Sequence, residues 1–219
     1  MIKVGIIGAN GFLGLELLRI LSIHPKVEIS KILKRENDIE DEFTHLSSLN
    51  LNEVQTSNID DFKSLDCVFL SLPHGSASEY VKELIDKVKI IDLSSDYRID
   101  DAKSYEAYYK TSFDPDIQSK FTYGFIESSL DKIKKSSNVA NPGCFALASQ
   151  LAILPFHSLI KNISITAITG SSGGGKLPSI KNHHSTRSKD IFSYNINKHR
   201  HLAEIFQSYP SLNNKLSFV

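Results

Sequence analysis

Cys144 closes the stretch "NPGC" (Asn141 to Cys144) and stands directly ahead of the apolar run "FALASQLAIL". Asn141 is a good helix cap, and Pro142 suits a first helical turn. Cys144 then falls within that turn, where free N–H groups and the helix dipole favour a thiolate, the nucleophilic form of the side chain. By itself the position fits a buried cysteine at a helix start equally well. The other cysteine, Cys67, lies in "DCVFLSL", which reads as a buried strand and gives it the role of a small apolar core residue. Two cysteines so placed do not read as a disulfide framework.

A second constellation favours the reactive reading. "NKHRHLAEI" (Asn197 to Ile205) brings His199, Arg200, His201 and Glu204 together. Histidine titrates near neutral pH and moves protons, and arginine holds carboxylates and phosphates. Upstream, "GSSGGGK" (Gly170 to Lys176) offers backbone N–H groups to a phosphate or a nicotinamide ring. From Lys176 to His201 the chain carries six Lys or Arg, four His and one acid, Asp190. So basic a segment in a chain with 25 basic and 25 acidic residues points to an anionic ligand.

The other end of the chain has a glycine pattern. "GIIGANGFLG" follows an apolar run and opens a leucine-rich helix, with Gly8, Gly11 and Gly14 spaced G-x-x-G-x-x-G. Small residues there let the backbone turn tightly beside a pyrophosphate, and the helix N-terminus supplies N–H groups. The second strand ends at Lys34 and Arg35, where an NAD site usually places an acid. Basic residues suit a 2′-phosphate and favour NADP.

These groups need a scaffold. Apolar runs at Ile2–Gly8, Val27–Leu33, Cys67–Pro73 and Val88–Ser94 alternate with helical patterns at Phe12–Ile23 and Ser76–Lys87. The alternation predicts an α/β fold, a Rossmann-type doubly wound parallel sheet. Near Asn141 the texture changes to a helix, the β-rich Ile163–Ser172 and an irregular basic segment. The reading is a nucleotide-binding domain at 1–143 and, from 144 to 219, the start of an α+β catalytic and dimerisation domain. That second domain looks incomplete, because the chain stops in what reads as a strand, "LSFV". The 219 residues are 41% apolar, enough for a real core, and zero formal net charge gives no general pull toward nucleic acid or membrane. No leader and no spanning apolar run is evident, so a cytoplasmic location is expected. No metal is expected.

As a set, "GANGFLG", "SLPHG" (Ser71 to Gly75), "IDLSSDYRI" (Ile91 to Ile99), "NPGC", "GSSGGGK" and "HRHLAEI" resemble the N-acetyl-γ-glutamyl-phosphate reductase family, and more distantly aspartate-semialdehyde dehydrogenase. The resemblance runs end to end. It implies NADPH-dependent reduction of an acyl phosphate to a semialdehyde in arginine or lysine biosynthesis, through a thioester on Cys144. His199 and His201 would give acid–base help, with His199 preferred as proton carrier. Gly8, Asn10, Gly11 and Phe12 would line the NADP phosphates, with Pro73 and His74 beside the nucleotide and Ser172 and Gly173 near the nicotinamide. Arg98, Asn141 and Arg200 would face substrate. "KLPSIKNHHSTRS" (Lys176 to Ser188) is similar to the branch acting on α-aminoadipyl or glutamyl phosphate attached to an acidic amino-group carrier protein. It adds His183, His184 and Arg187 to the substrate side. The resemblance also implies a homo-oligomer. The alternatives are the free N-acetylated substrate, an aspartate-semialdehyde dehydrogenase-like enzyme, and an inactive NADP-binding remnant.

Overall fold

The computed structural model describes residues 1–34, 55–56, 58–109, 113–177 and 179–219. The expectation for Arg35 lies outside the described residues. Six parallel strands form one sheet in the order β2-β1-β3-β4-β6-β5: β1 (Ile2–Ile7), β2 (Val27–Leu33), β3 (Cys67–Leu70), β4 (Lys89–Asp92), β5 (Phe121–Tyr123) and β6 (Asn138–Ala140). Helix α1 (Phe12–Ser22) follows β1, and α2 (Ala77–Leu84) follows β3. Three more lie between β4 and β6: α3 (Ala102–Tyr109), α4 (Pro115–Gln118) and α5 (Ile126–Lys135).

Alternate residues of β1 face opposite ways, as the pleat demands. Val4 and Ile6 pack with Leu18 and Leu21 of α1. Ile7 joins Val68, Leu70 and Ile90 of neighbouring strands and Val81 and Leu84 of α2. Both faces are thereby covered, which is why these strands read as continuous apolar runs. The strand order reverses beside β1, so the crevice between the carboxyl ends of β1 and β3 is the switch point of a doubly wound sheet.

The remainder of the chain builds a smaller unit. Its elements are α6 (Cys144–Ile153), β7 (Ile163–Ile165), the one-turn α7 (His184–Arg187), α8 (His201–Ser208) and β8 (Leu216–Phe218). β7 and β8 pair in parallel, with Ile163 opposite Leu216 and Ile165 opposite Phe218. α6 packs on α8 through Phe145, Ala146 and Ile153 against Leu202 and Ile205. This packing brings the "NPGC" turn and the "HRH" segment together.

Candidate active site

Cys144 is the first residue of α6, and its side chain is exposed. The N-cap is Gly143, held extended at φ −66° and ψ 151°, and no side chain caps the helix. The expected Asn141 cap is therefore corrected. Asn141 donates its N–H to the Asp92 carbonyl at 2.7 Å and its amide to the Pro142 carbonyl at 3.2 Å. The chain is still leaving the sheet at that point, so Pro142 lies before the helix rather than in its first turn. An uncapped first turn keeps backbone N–H groups open around the sulfur.

Glu204, wholly buried on α8, holds this turn. Its Oε2 accepts the Gly143 N–H at 2.8 Å and the Tyr123 hydroxyl at 2.8 Å. Its Oε1 lies 3.4 Å from Arg98 Nη1, and Arg98 Nη2 donates to the Leu93 carbonyl at 2.9 Å. Arg98, expected to face substrate, is thus buried in the floor of the site as the counter-ion of Glu204. Gly143 is required by space. A Cβ there would stand 2.4 Å from His201 Nε2 and 2.7 Å from Arg98 Nη1. Sequence reading grouped Glu204 with the histidines but gave it no role, and it missed Tyr123.

His199 and His201 are both buried, with ring centroids 4.6 Å apart. The His201 N–H donates to His199 Nδ1 at 3.2 Å, so a neutral His199 carries its proton on Nε2. Burial, then the Arg200 charge, lowers the His199 pKa. Burial drives His201 further, to about 3, with His199, Arg98 and Arg200 acting in the same direction. His201 is therefore neutral near pH 7, and at 4.0 Å its Nε2 is beyond hydrogen-bond reach of Glu204. The approach to His199 is fixed by Asn197, whose φ is +53°. Asn197 donates its N–H to the Phe218 carbonyl at 2.9 Å, and its side chain accepts the Phe218 N–H at 2.7 Å. Strand β8 thus positions the histidine. Arg200 is exposed beside it.

At the carboxyl end of β1 the glycine turn joins β1 to α1. Gly8 has φ +82°, and a Cβ on it would meet the Ser71 carbonyl at 2.3 Å. α1 begins at an extended Gly11 with no side-chain cap. A small-residue cradle at an uncapped helix N-terminus fits a dinucleotide pyrophosphate. Asn10 is buried within this turn, and Phe12 is half-exposed at its rim. The N–H of Gly8 donates to the Leu33 carbonyl at 2.8 Å, which sets Lys34 next to the cradle. Pro73 and His74 lie in the loop after β3, at the same sheet edge. His74 Nδ1 is 2.7 Å from Asp96 Oδ1, and its ring packs on Tyr109 at 4.8 Å. Asp96 also accepts the N–H groups of Gly75 at 2.7 Å and Ala77 at 3.0 Å, bracing this loop and the start of α2. Lys176 Nζ donates to the Asn10 carbonyl at 3.3 Å, so the loop of Ser172 and Gly173 is laid against the cradle.

The remaining expected substrate residues sit apart. His183 caps α7 by accepting the Ser185 N–H at 3.3 Å, and His184 is exposed. Arg187 is engaged within its own segment, donating to the Lys181 carbonyl and to Asp190 at 3.3 Å. Among the described residues, no hydrogen bond, ion pair or ring contact joins these three to Cys144 or His199.

Residues 3–136 match the semialdehyde dehydrogenase NAD-binding domain, and residues 144–219 match the dimerisation domain of the same family. The chain belongs to the semialdehyde dehydrogenase family. This semialdehyde dehydrogenase chain is 38% identical over 210 residues to a Pyrococcus horikoshii protein named LysW-L-2-aminoadipate/LysW-L-glutamate phosphate reductase, covering 94% of this chain and 62% of the relative. It is 34% identical over 224 residues to N-acetyl-gamma-glutamyl-phosphate reductase of Clostridium beijerinckii, covering 97% of this chain and 64% of that protein. The chain therefore spans a little under two thirds of the length of these curated relatives. In fold it is similar to aspartate semialdehyde dehydrogenase II of Vibrio cholerae, with a TM-score of 0.55 at 17% identity over 80% of this chain and 48% of that one.

Proposed function

We propose that this chain carries the nucleotide-binding and nucleophile-bearing parts of an NADPH-dependent acyl-phosphate reductase, with the division at 1–143 and 144–219. The observation that carries the reading is the exposed Cys144 at an uncapped helix start whose turn is pinned by buried Glu204, with two histidines packed behind it.

In this reading the Cys144 thiolate attacks the acyl carbon, and the carbonyl oxygen takes up negative charge beside the open N–H groups of α6. Phosphate departs and a thioester forms on Cys144. A nicotinamide nucleotide held at the glycine turn would supply the hydride for reduction of this thioester. Collapse then releases the semialdehyde and restores the thiolate, so the sulfur ends as it began. The one proton consumed goes to the departing phosphate. His199 is its donor: burial and Arg200 keep the ring neutral at rest, and an arriving phosphate reverses that balance. Gly8, Asn10, Gly11 and Phe12 would hold the pyrophosphate, Lys34 and Arg35 the 2′-phosphate, and Ser172 and Gly173 the nicotinamide end.

The substrate we favour is α-aminoadipyl or glutamyl phosphate on an acidic carrier protein, because Lys181, His183, His184 and Lys189 are exposed together. The name of the Pyrococcus relative agrees with it. The dimerisation-domain match supports a homo-oligomer, and a cytoplasmic location goes with such metabolism. No helix among the described residues is long and apolar enough to cross a membrane.

The test is phosphate-dependent reduction of NADP⁺ by the full gene product. Carrier-bound aminoadipate and glutamate semialdehydes and free N-acetylglutamate semialdehyde would be compared. Turnover that disappears in Cys144→Ser while NADP binding persists is the expected result. Turnover unaffected by that substitution would overturn the reading.

A further inference from the structure

We propose that Arg187, Phe192 and Tyr194 are positioning residues that clamp His199 from the solvent side. The inference rests on His199 being the proton carrier of the site described above.

His199 is boxed in by rings. Phe145 meets it edge-on at 5.3 Å, Phe218 is tilted at 5.6 Å, and His201 lies at 4.6 Å. Phe145 of α6 and Phe218 of β8 are fixed by the core, and His201 is buried at the start of α8. The remaining ring contact is Tyr194, T-shaped to His199 at 5.6 Å. Tyr194 is different in kind: it is 43% exposed and lies in a stretch without helix or strand. A half-exposed ring on an irregular segment holds a neighbour in place only when it is itself braced.

The brace is visible. Phe192 lies 6.1 Å from Tyr194, and the Arg187 guanidinium carbon sits 3.6 Å over the Phe192 ring. That guanidinium is anchored in turn by the Lys181 carbonyl and Asp190. A fixed cation over a ring face gives the stack a firm outer end. The result is a ladder from α7 to His199 in which each rung is ordered by the next. Tyr194 also lies within electrostatic reach of Cys144: burial first, and then the sulfur's charge, raise the tyrosine pKa. Its hydroxyl therefore stays protonated beside the site. Arg187 on this view acts inside the protein, as a pin, and does not bind substrate.

The readout is the titration of the His199 imidazole by NMR, assigned by loss of its signal in His199→Gln. Besides Tyr194, the titratable or charged groups that act on His199 are His201 and Arg200, with Cys144 beside Tyr194, and none of them is altered. Wild-type His199 should titrate below the ordinary histidine value. In Phe192→Leu the Tyr194 wall loosens, water reaches the ring, and the value should move up toward the ordinary one. Phe192→Tyr keeps the ring and should restore the wild-type titration. Arg187→Gln should behave as Phe192→Leu does, and it carries the test if that variant fails to fold. In the reductase assay kcat should fall while KM is held. A His199 titration unchanged in both Phe192→Leu and Arg187→Gln would overturn the proposal. Shifts of the predicted kind in a protein without reductase activity would uphold the ladder and sink the functional reading instead.

Discussion

Cys144 and Cys67 form an internal comparison. Cys144 is exposed at a helix start, whereas burial in β3 pushes the Cys67 thiol up to about 11. Iodoacetamide at pH 7 should therefore label Cys144 first, at least tenfold faster by the order of magnitude such a difference in thiolate supply implies. Equal rates, read by mass spectrometry, would remove the case for a nucleophile. Glu204 allows a second prediction. Glu204→Gln leaves an acceptor for Gly143 but strands the buried Arg98 charge, a loss on the order of 3 kcal/mol. Denaturant melts should show that destabilisation, and Glu204→Gln/Arg98→Met should recover part of it. The nucleophile was legible in the sequence because its cues are local: a proline, a glycine and a cysteine before an apolar run. The role of Glu204 was not, because it bonds Gly143 61 positions away in sequence and only the packing of α8 on α6 brings them together.

Among the elements, β1 to β4, α1 and α2 were legible because each is an apolar or amphipathic run ended by glycine, proline or a polar turn. β5 and β6 were missed: each has three residues, too few to show a period. The β-rich reading of Ile163–Ser172 shrinks to Ile163–Ile165, because β8 offers only three residues to pair with. The basic segment, which reads as loop or loop with helix, holds a 3-10 turn at Ile180–Asn182 and the short helix α7. The glycine turn of the first βα unit separates two jobs that look alike in sequence. A Cβ on Gly14 would meet the Gly8 carbonyl at 2.4 Å, whereas one on Gly11 meets nothing closer than 3.7 Å. Gly14→Ala should thus lower thermal stability, since α1 must shift off the sheet. Gly11→Ala should melt like wild type yet weaken NADP binding by calorimetry, because the added methyl fills the phosphate cradle. If Gly11→Ala binds NADP with wild-type affinity, the cradle is only a tight turn.

At the scale of the molecule, two charge effects reach beyond the site. Asp92 ends β4 wholly buried, and burial pushes its carboxyl up to about 7, against the opposing hydrogen bonds from Ser94. Its unfolded value is ~3.9, so the folded protein holds this proton more tightly. That contribution is full below pH ~4 and is lost as the pH rises through about 7. Asp92→Asn should flatten this part of the stability profile in melts between those limits, while parallel profiles would show that Asp92 is ionised in the fold. The second effect is docking. Lys181, His183, His184 and Lys189 are exposed on one short segment, whereas Arg187 is already engaged by Asp190 and Phe192. If these groups receive an acidic carrier, Lys181→Glu/Lys189→Glu should cut kcat/KM for a carrier-bound acyl phosphate through slower association. The effect should shrink with salt, as the Debye length falls from ~10 Å at 0.1 M to ~3 Å at 1 M. Turnover of free N-acetylglutamyl phosphate should barely change, because its contacts lie at Cys144 and His199. Equal losses on both substrates would assign the segment to the fold or the active site, and wild-type turnover of the free substrate alone would rule out a carrier.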